Sequence, residues 1–132
     1  MPRKTRLRKV VSPPNFKGYK PYGCQKSGKE VELFYEEYEA LKLADYDLMN
    51  HKEAAVLMNV SRATFARIYE SARRKMATML VETQSMKTVY GNADLGEEWL
   101  LCARCHSRFT MPKNFDSETC PLCHSNEIEI IK

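Results

Sequence analysis

Between residues 30 and 82 the apolar positions recur at steps of three and four, the period of helices that each bury one face. Tyr38, Leu41, Ala44 and Leu48 mark such a face and predict a first helix over Tyr35–Met49. Glu36, Glu37 and Glu39 fall in its first turns, where a carboxylate favours the positive end of the helix dipole. Asn50, with Glu53 three residues on, makes a capping pair for a short helix over His51–Met58, whose apolar positions are Ala54, Ala55, Leu57 and Met58. Asn59 tolerates the left-handed conformation that ends a helix, and Val60 is placed to enter the core. Ser61 then caps a third helix from Arg62 to about Val81, with Phe65, Ile68, Ala72, Met76 and Met79–Leu80 as its stripe.

The flanks lack this period. Residues 1–29 are dense in Pro, Gly and Lys and predict a basic N-terminal arm, mobile over Met1–Lys9, with Val10, Val11, Phe16, Tyr19 and Tyr22 pinning the rest. Residues 83–98 are polar, carry Gly91, Asn92 and Gly96, and predict a linker with a short strand at Met86–Tyr90. Residues 99–132 alternate short β-like pieces (Trp99–Leu101, Arg108–Thr110 and Glu127–Ile131) with two cysteine pairs. The expected fold is therefore mainly α: a tri-helical helix-turn-helix domain over residues 30–82, followed by a small β zinc ribbon over residues 99–132.

Composition narrows the class. The chain has 132 residues, 43% hydrophobic and 29% charged, the balance of an ordinary soluble domain. No apolar run approaches the roughly 20 residues that cross a bilayer, and no apolar segment follows the basic N-terminus as in a secretory signal. The expected location is cytoplasmic. The net charge of +4 is unevenly spread, at +9 over residues 1–29, −2 over residues 30–75 and −3 over residues 76–132. A segregated positive arm points to a polyanionic partner, nucleic acid before an acidic membrane surface. With 5 Gly, no Gly-rich phosphate loop and no nucleophile–base constellation, an enzyme is not expected.

His51–Arg67 carries the sharpest signal: a short helix, a tight turn at Asn59–Ser61 and a longer basic helix, the parts of a helix-turn-helix. Ala55 is small where the two helices approach, and Val60, Phe65 and Ile68 point inward. A recognition helix sets its N-terminal residues against major-groove base edges. Arg62 and Arg67 are then candidates for guanine readout, and Ser61 and Thr64 for a phosphate or base-edge contact. Arg73, Arg74 and Lys75 lie farther along, toward backbone phosphates. In the arm, Arg3, Lys4, Arg6, Arg8 and Lys9 would enter the minor groove or track phosphates. The plainer alternative is a solvated helix face and an arm that serves solubility.

The stretch FYEEYEALKLADYDLMNHKEAAVLMNVSRATFARIYESARRKMATMLV, with the opening Met-Pro-Arg-Lys, resembles a short prokaryotic family catalogued as domain-of-unknown-function family 134 and described as predicted DNA-binding. The resemblance covers about residues 1–82. That family's helix-turn-helix is similar to sigma-factor region four, so the resemblance implies a tri-helical DNA-binding domain. Asn59 stands where a turn glycine is usual, a replacement that its ready left-handed conformation accommodates.

Cys102-Ala-Arg-Cys105-His106 and Cys120-Pro-Leu-Cys123-His124 are two matching knuckles, with 14 residues between Cys105 and Cys120. Two such pairs close a tetrahedron around Zn²⁺, so Cys102, Cys105, Cys120 and Cys123 are the expected ligands of one structural ion. His106 and His124 are expected in the outer turns of the knuckles. A redox dithiol would need a βαβ setting that 34 residues cannot supply. So small a unit also needs the metal to fold, and chelation is expected to unfold residues 99–132 and spare the helices. Cys24 reads as an incidental thiol, and Trp99, Phe109 and Phe115 as ribbon core or base-stacking rings.

The function expected from these features is sequence-specific binding of double-stranded DNA, in a transcriptional regulator. A homodimer is compatible with the sequence but nothing in it forces one. The alternatives are an RNA- or ribosome-binding basic zinc protein and an interaction module that docks on RNA polymerase.

Overall fold

A computed structural model of the chain describes residues 7–24, 28–96, 98–112 and 118–131. Arg3, Lys4, Arg6 and Phe115, singled out above, lie outside the described residues. The helices begin with α1 (Tyr35–Leu41), which runs into a π-helical turn at Lys42–Tyr46. They continue with α2 (His51–Met58) and α3 (Arg62–Val81). Capping follows the sequence closely at α2. Asn50 Oδ1 accepts from the Glu53 N–H at 2.8 Å, and Glu53 Oε1 accepts from the Asn50 N–H at 3.2 Å. Asn59 closes α2 with φ 57° and ψ 44°, and Ser61 Oγ accepts from the Thr64 N–H at 3.1 Å to open α3.

The expectation of a mainly α protein is wrong: 34% of the described residues are helical and 22% lie in strands, arranged as three small sheets. The strands are β1 (Arg8–Lys9), β2 (Gly18–Tyr19), β3 (Glu30–Phe34), β4 (Ser85–Val89), β5 (Ala93–Asp94), β6 (Trp99–Cys102), β7 (Arg108–Phe109) and β8 (Ile128–Ile131). β1 pairs in parallel with β5. β4, placed by the sequence in a linker, is the central strand of a three-stranded sheet, antiparallel to β2 and parallel to β3. The third sheet is antiparallel, in the order β7-β6-β8. β4, β6, β7 and β8 fall where the sequence predicts short strands, whereas β1, β2, β3 and β5 were not predicted. The pairings of β1 with β5 and of β4 with β2 and β3 join segments distant in sequence that no local period announces.

The first helix also departs from its predicted face. The π-helical turn inserts an extra residue, with the Asp47 N–H bonded to the Lys42 carbonyl at 2.8 Å. That shift buries Leu43 completely and turns Leu48 outward, 82% exposed and at φ 59°. In α3, Phe65, Ile68 and Ala72 are buried, Met76 and Met79 are half-buried, and Leu80 is exposed.

Three carboxylates at the start of α1, read from the sequence only as partners of the helix dipole, hold the N-terminal segment and the sheets to the helices. Glu36 accepts from the Asn92 N–H at 3.1 Å and lies 3.9 Å from Arg8. Glu37 accepts from the Phe34 N–H at 2.9 Å, the Ser71 hydroxyl at 2.6 Å and the Lys75 ammonium at 2.7 Å. Glu39 accepts from the Val11 and Ser12 N–H groups. Gly91 makes the Glu36 contact fit. Its φ is +63°, and a Cβ there would stand 2.5 Å from Glu36 Oε1.

One core cluster runs through both halves of the chain. Val11, Leu43, Leu57, Met58, Phe65 and Ile68 belong to the same buried set as Leu100, Cys102, Phe109, Cys120 and Leu122. The Thr110 N–H also bonds to the Val11 carbonyl at 2.9 Å. The cysteine module is thus packed against the helices through residues 9–12, and loss of its fold would uncover part of their core. A second cluster, Val31, Leu33, Ala72 and Met86, joins the central sheet to α3.

Candidate metal centre and nucleic-acid face

Each cysteine pair sits in a tight backbone turn. The His106 N–H bonds to the Cys102 carbonyl at 2.8 Å and the Cys102 N–H to the Ser107 carbonyl at 3.0 Å. The second turn repeats this, from His124 to Cys120 at 2.9 Å and from Cys120 to Ser125 at 2.7 Å. His106 and His124 take the corresponding left-handed positions, at φ 63° and 65°. Their place in the outer turns is the one expected, and the thiols converge without them.

The four sulfurs of Cys102, Cys105, Cys120 and Cys123 all lie within 4.8 Å of one another. Cys102 Sγ is 3.5 Å from Cys123 Sγ, and Cys105 Sγ is 3.8 Å from Cys120 Sγ. A tetrahedral ion with bonds of about 2.3 Å has sulfur–sulfur edges near 3.8 Å, so the set is already close to ligating geometry. Backbone N–H groups reach it as well, from Cys105 to Cys102 Sγ at 3.5 Å and from Leu122 to Cys120 Sγ at 3.4 Å. Burial pushes the Cys120 thiol up to about 12 and raises Cys123. Burial also raises Cys105, but hydrogen bonds from Ser107 and the neighbouring thiols outweigh it and bring it down to about 7. Cys105 is then the first thiolate. Further ionisation in so small a volume calls for a cation to offset the repulsion, which is the chemistry of a metal centre.

The candidate nucleic-acid residues divide by what their side chains already touch. Arg62 and Arg67 are exposed on the N-terminal half of α3, with Ala63 exposed and Ala66 half-buried between them. Ser61 and Thr64 are engaged with each other, hydroxyl to hydroxyl at 2.9 Å, as the cap of that helix. Arg73 lies over the Tyr69 ring, 5.4 Å from its centroid, and Arg74 pairs with Glu70 at 2.9 Å on the surface. Lys75, by contrast, is used inside the fold. It bonds to Glu37 and to the Glu32 carbonyl at 2.8 Å, and sits 4.0 Å from the Phe34 ring centroid. Lys9, expected in a mobile arm, is instead 5% exposed in β1 and donates to Thr110 Oγ1 and the Leu95 carbonyl. Arg8 faces Glu36. Among the described residues, Arg62, Arg67, Arg73 and Arg74 are thus the cationic candidates that the fold leaves facing solvent. Cys24 is exposed and apart from the thiol cluster.

Sequence reasoning missed the internal work of Glu36, Glu37, Glu39, Lys9 and Lys75. An acidic triplet ahead of an apolar helix looks the same whether it faces water or backbone. Phe109, weighed as a base-stacking ring, is wholly buried, whereas Trp99 is only partly buried. No described helix is long and apolar enough to cross a membrane.

Residues 1–95 match a family described as "Protein of unknown function DUF134". The chain is 38% identical over 133 residues to a "UPF0251 protein" of Chloroherpeton thalassium, covering 100% of this chain and 88% of that one. It is 42% identical over 110 residues to one of Pelotomaculum thermopropionicum, covering 83% of each. With one of Halothermothrix orenii it shares 34% over 134 residues, covering 98% of this chain and 99% of the other. No solved structure matches the chain.

Proposed function

The chain belongs to the DUF134 family, and we propose that it is a sequence-specific reader of double-stranded DNA, acting in transcription regulation and carrying one structural zinc ion. The observation that carries this reading is the N-terminal half of α3. Arg62 and Arg67 project there beside Ala63 and Ala66, on a helix set by the α2 turn and a buried Phe65. Small residues between two long cationic ones let a helix backbone sink into the major groove while the guanidinium groups reach guanine edges. Arg73 and Arg74, at the flank, meet the phosphates. Cys102, Cys105, Cys120 and Cys123 would supply four protein ligands to a bound ion, a set that suits a structural role. By packing against α2 and α3 through the shared core, the cysteine module stabilises the presenting scaffold.

The test is selection from a random duplex library with zinc-loaded protein at moderate salt. An enriched motif, with Arg67→Ala relaxing preference at one base pair, supports the reading. Salt-sensitive binding with no enriched motif contradicts it.

A further inference from the structure

A second surface lies on the cysteine module. Along β6, Leu100 and Cys102 are buried, so Trp99 and Leu101 face outward. Arg108 stands opposite Leu101, and Ile131 opposite Trp99. This face borders a groove of about 490 Å³ between the module and the N-terminal segment, lined by Pro13, Pro14, Tyr38, Trp99, His106 and Arg108 among others. Its walls are flat: two proline rings, a phenol and an indole. Its charge is one-sided. No lining residue is acidic, and Arg108 makes no ion pair among the described residues. Glu129, on the same sheet face, lies in β8 on the far side of β6 from Arg108 and outside the groove.

Flat apolar faces beside an uncompensated guanidinium complement a flat heterocycle joined to an anion. We propose that this groove binds single-stranded nucleic acid, one base stacking on the Trp99 indole and the adjoining phosphate held by Arg108. The shared chemistry is the base–phosphate unit, common to DNA and RNA strands. The proposal is independent of duplex reading by α3, because it uses none of the residues of that helix.

Trp99 is the single tryptophan of the chain, so its fluorescence reports the stacking directly. The full zinc-loaded chain is titrated with unstructured oligo-dT and oligo-U of about twelve nucleotides, within the span that one small domain covers. Both are expected to quench the emission saturably, and the stronger of the two identifies the preferred sugar. Arg108→Glu is expected to abolish the quenching. With a fluorescein-labelled oligonucleotide read by anisotropy, Trp99→Ala weakens binding about tenfold, as loss of one base–aromatic stack does. Trp99→Phe keeps a ring, serves where the alanine variant does not fold, and retains most of the affinity. Arg67→Ala leaves the titration unchanged. Absence of quenching at low salt overturns the proposal, as does quenching that survives Arg108→Glu or that falls equally with Arg67→Ala.

Discussion

Glu39 offers the clearest quantitative test of the packing described here. Its carboxylate is wholly buried, and Oε2 takes the Val11 and Ser12 N–H groups, while Oε1 has no partner among the described residues. Burial raises its pKa from 4.5 to about 7, with the charge of Lys42 and the two N–H bonds opposing that rise. A folded-state value above the unfolded one means that the stabilisation is fully present below pH 4.5 and is lost as pH rises through about 7. At 1.36 kcal/mol per unit, the loss between pH 5 and pH 8 is about 2–3 kcal/mol. Glu39→Gln keeps a carbonyl oxygen for the two N–H groups and removes the ionisation. Urea unfolding of both proteins across this range isolates the effect, because the pH dependence of the cysteines is common to the two and cancels. The stability of Glu39→Gln relative to wild type is expected to climb by about 2–3 kcal/mol from pH 5 to pH 8. A difference that stays flat with pH would refute the assignment of a buried, proton-binding carboxylate.

The metal centre, the helix start and the recognition face give three more predictions. Chelation, or Cys102→Ser, should lower the stability of the helices as well as of the module, since Leu100, Phe109 and Leu122 share their core. Circular dichroism showing unchanged helix melting in the metal-free protein would rule out that coupling. Asn50→Ala removes the cap bond to Glu53 and is expected to cost about 1 kcal/mol in urea unfolding. Arg67→Ala is expected to weaken a selected duplex by about 1–3 kcal/mol at a single base pair, whereas an equal loss on every sequence would make it a phosphate contact.

Which elements could be read in advance follows from how local their causes are. α2, the turn and α3 were legible because caps and stripe sit within a few residues of one another: Asn50 with Glu53, Asn59 in its left-handed turn, Ser61 with Thr64. The four thiols were legible because the spacing of each pair dictates its knuckle. The π-helical turn at Lys42–Tyr46 was not, since Leu43 and Leu48 trade places only when Asp47 bonds back five residues. Nor was the pairing of the sheets, although β4, β6, β7 and β8 lie where strands were predicted. The alternation of Val31 and Leu33 is visible, but their partners Met86 and Thr88 lie 55 residues away, and Arg8 pairs with Ala93. The candidate site was half-legible for the same reason. Arg62 and Arg67 face out by helical period, while the burial of Lys9 and the capture of Lys75 depend on Thr110 and Glu37, brought close only by the complete fold.

The central claim, that the face of α3 reads duplex DNA, is tested most directly by amide chemical-shift mapping. Isotope-labelled, zinc-loaded protein is titrated with a duplex recovered by selection. The account predicts that the largest shifts fall on Ser61–Arg74, with the outward positions Arg62, Ala63 and Arg67 foremost. Shifts confined to the cysteine module or to the central sheet, with α3 unmoved at saturating duplex, would contradict it.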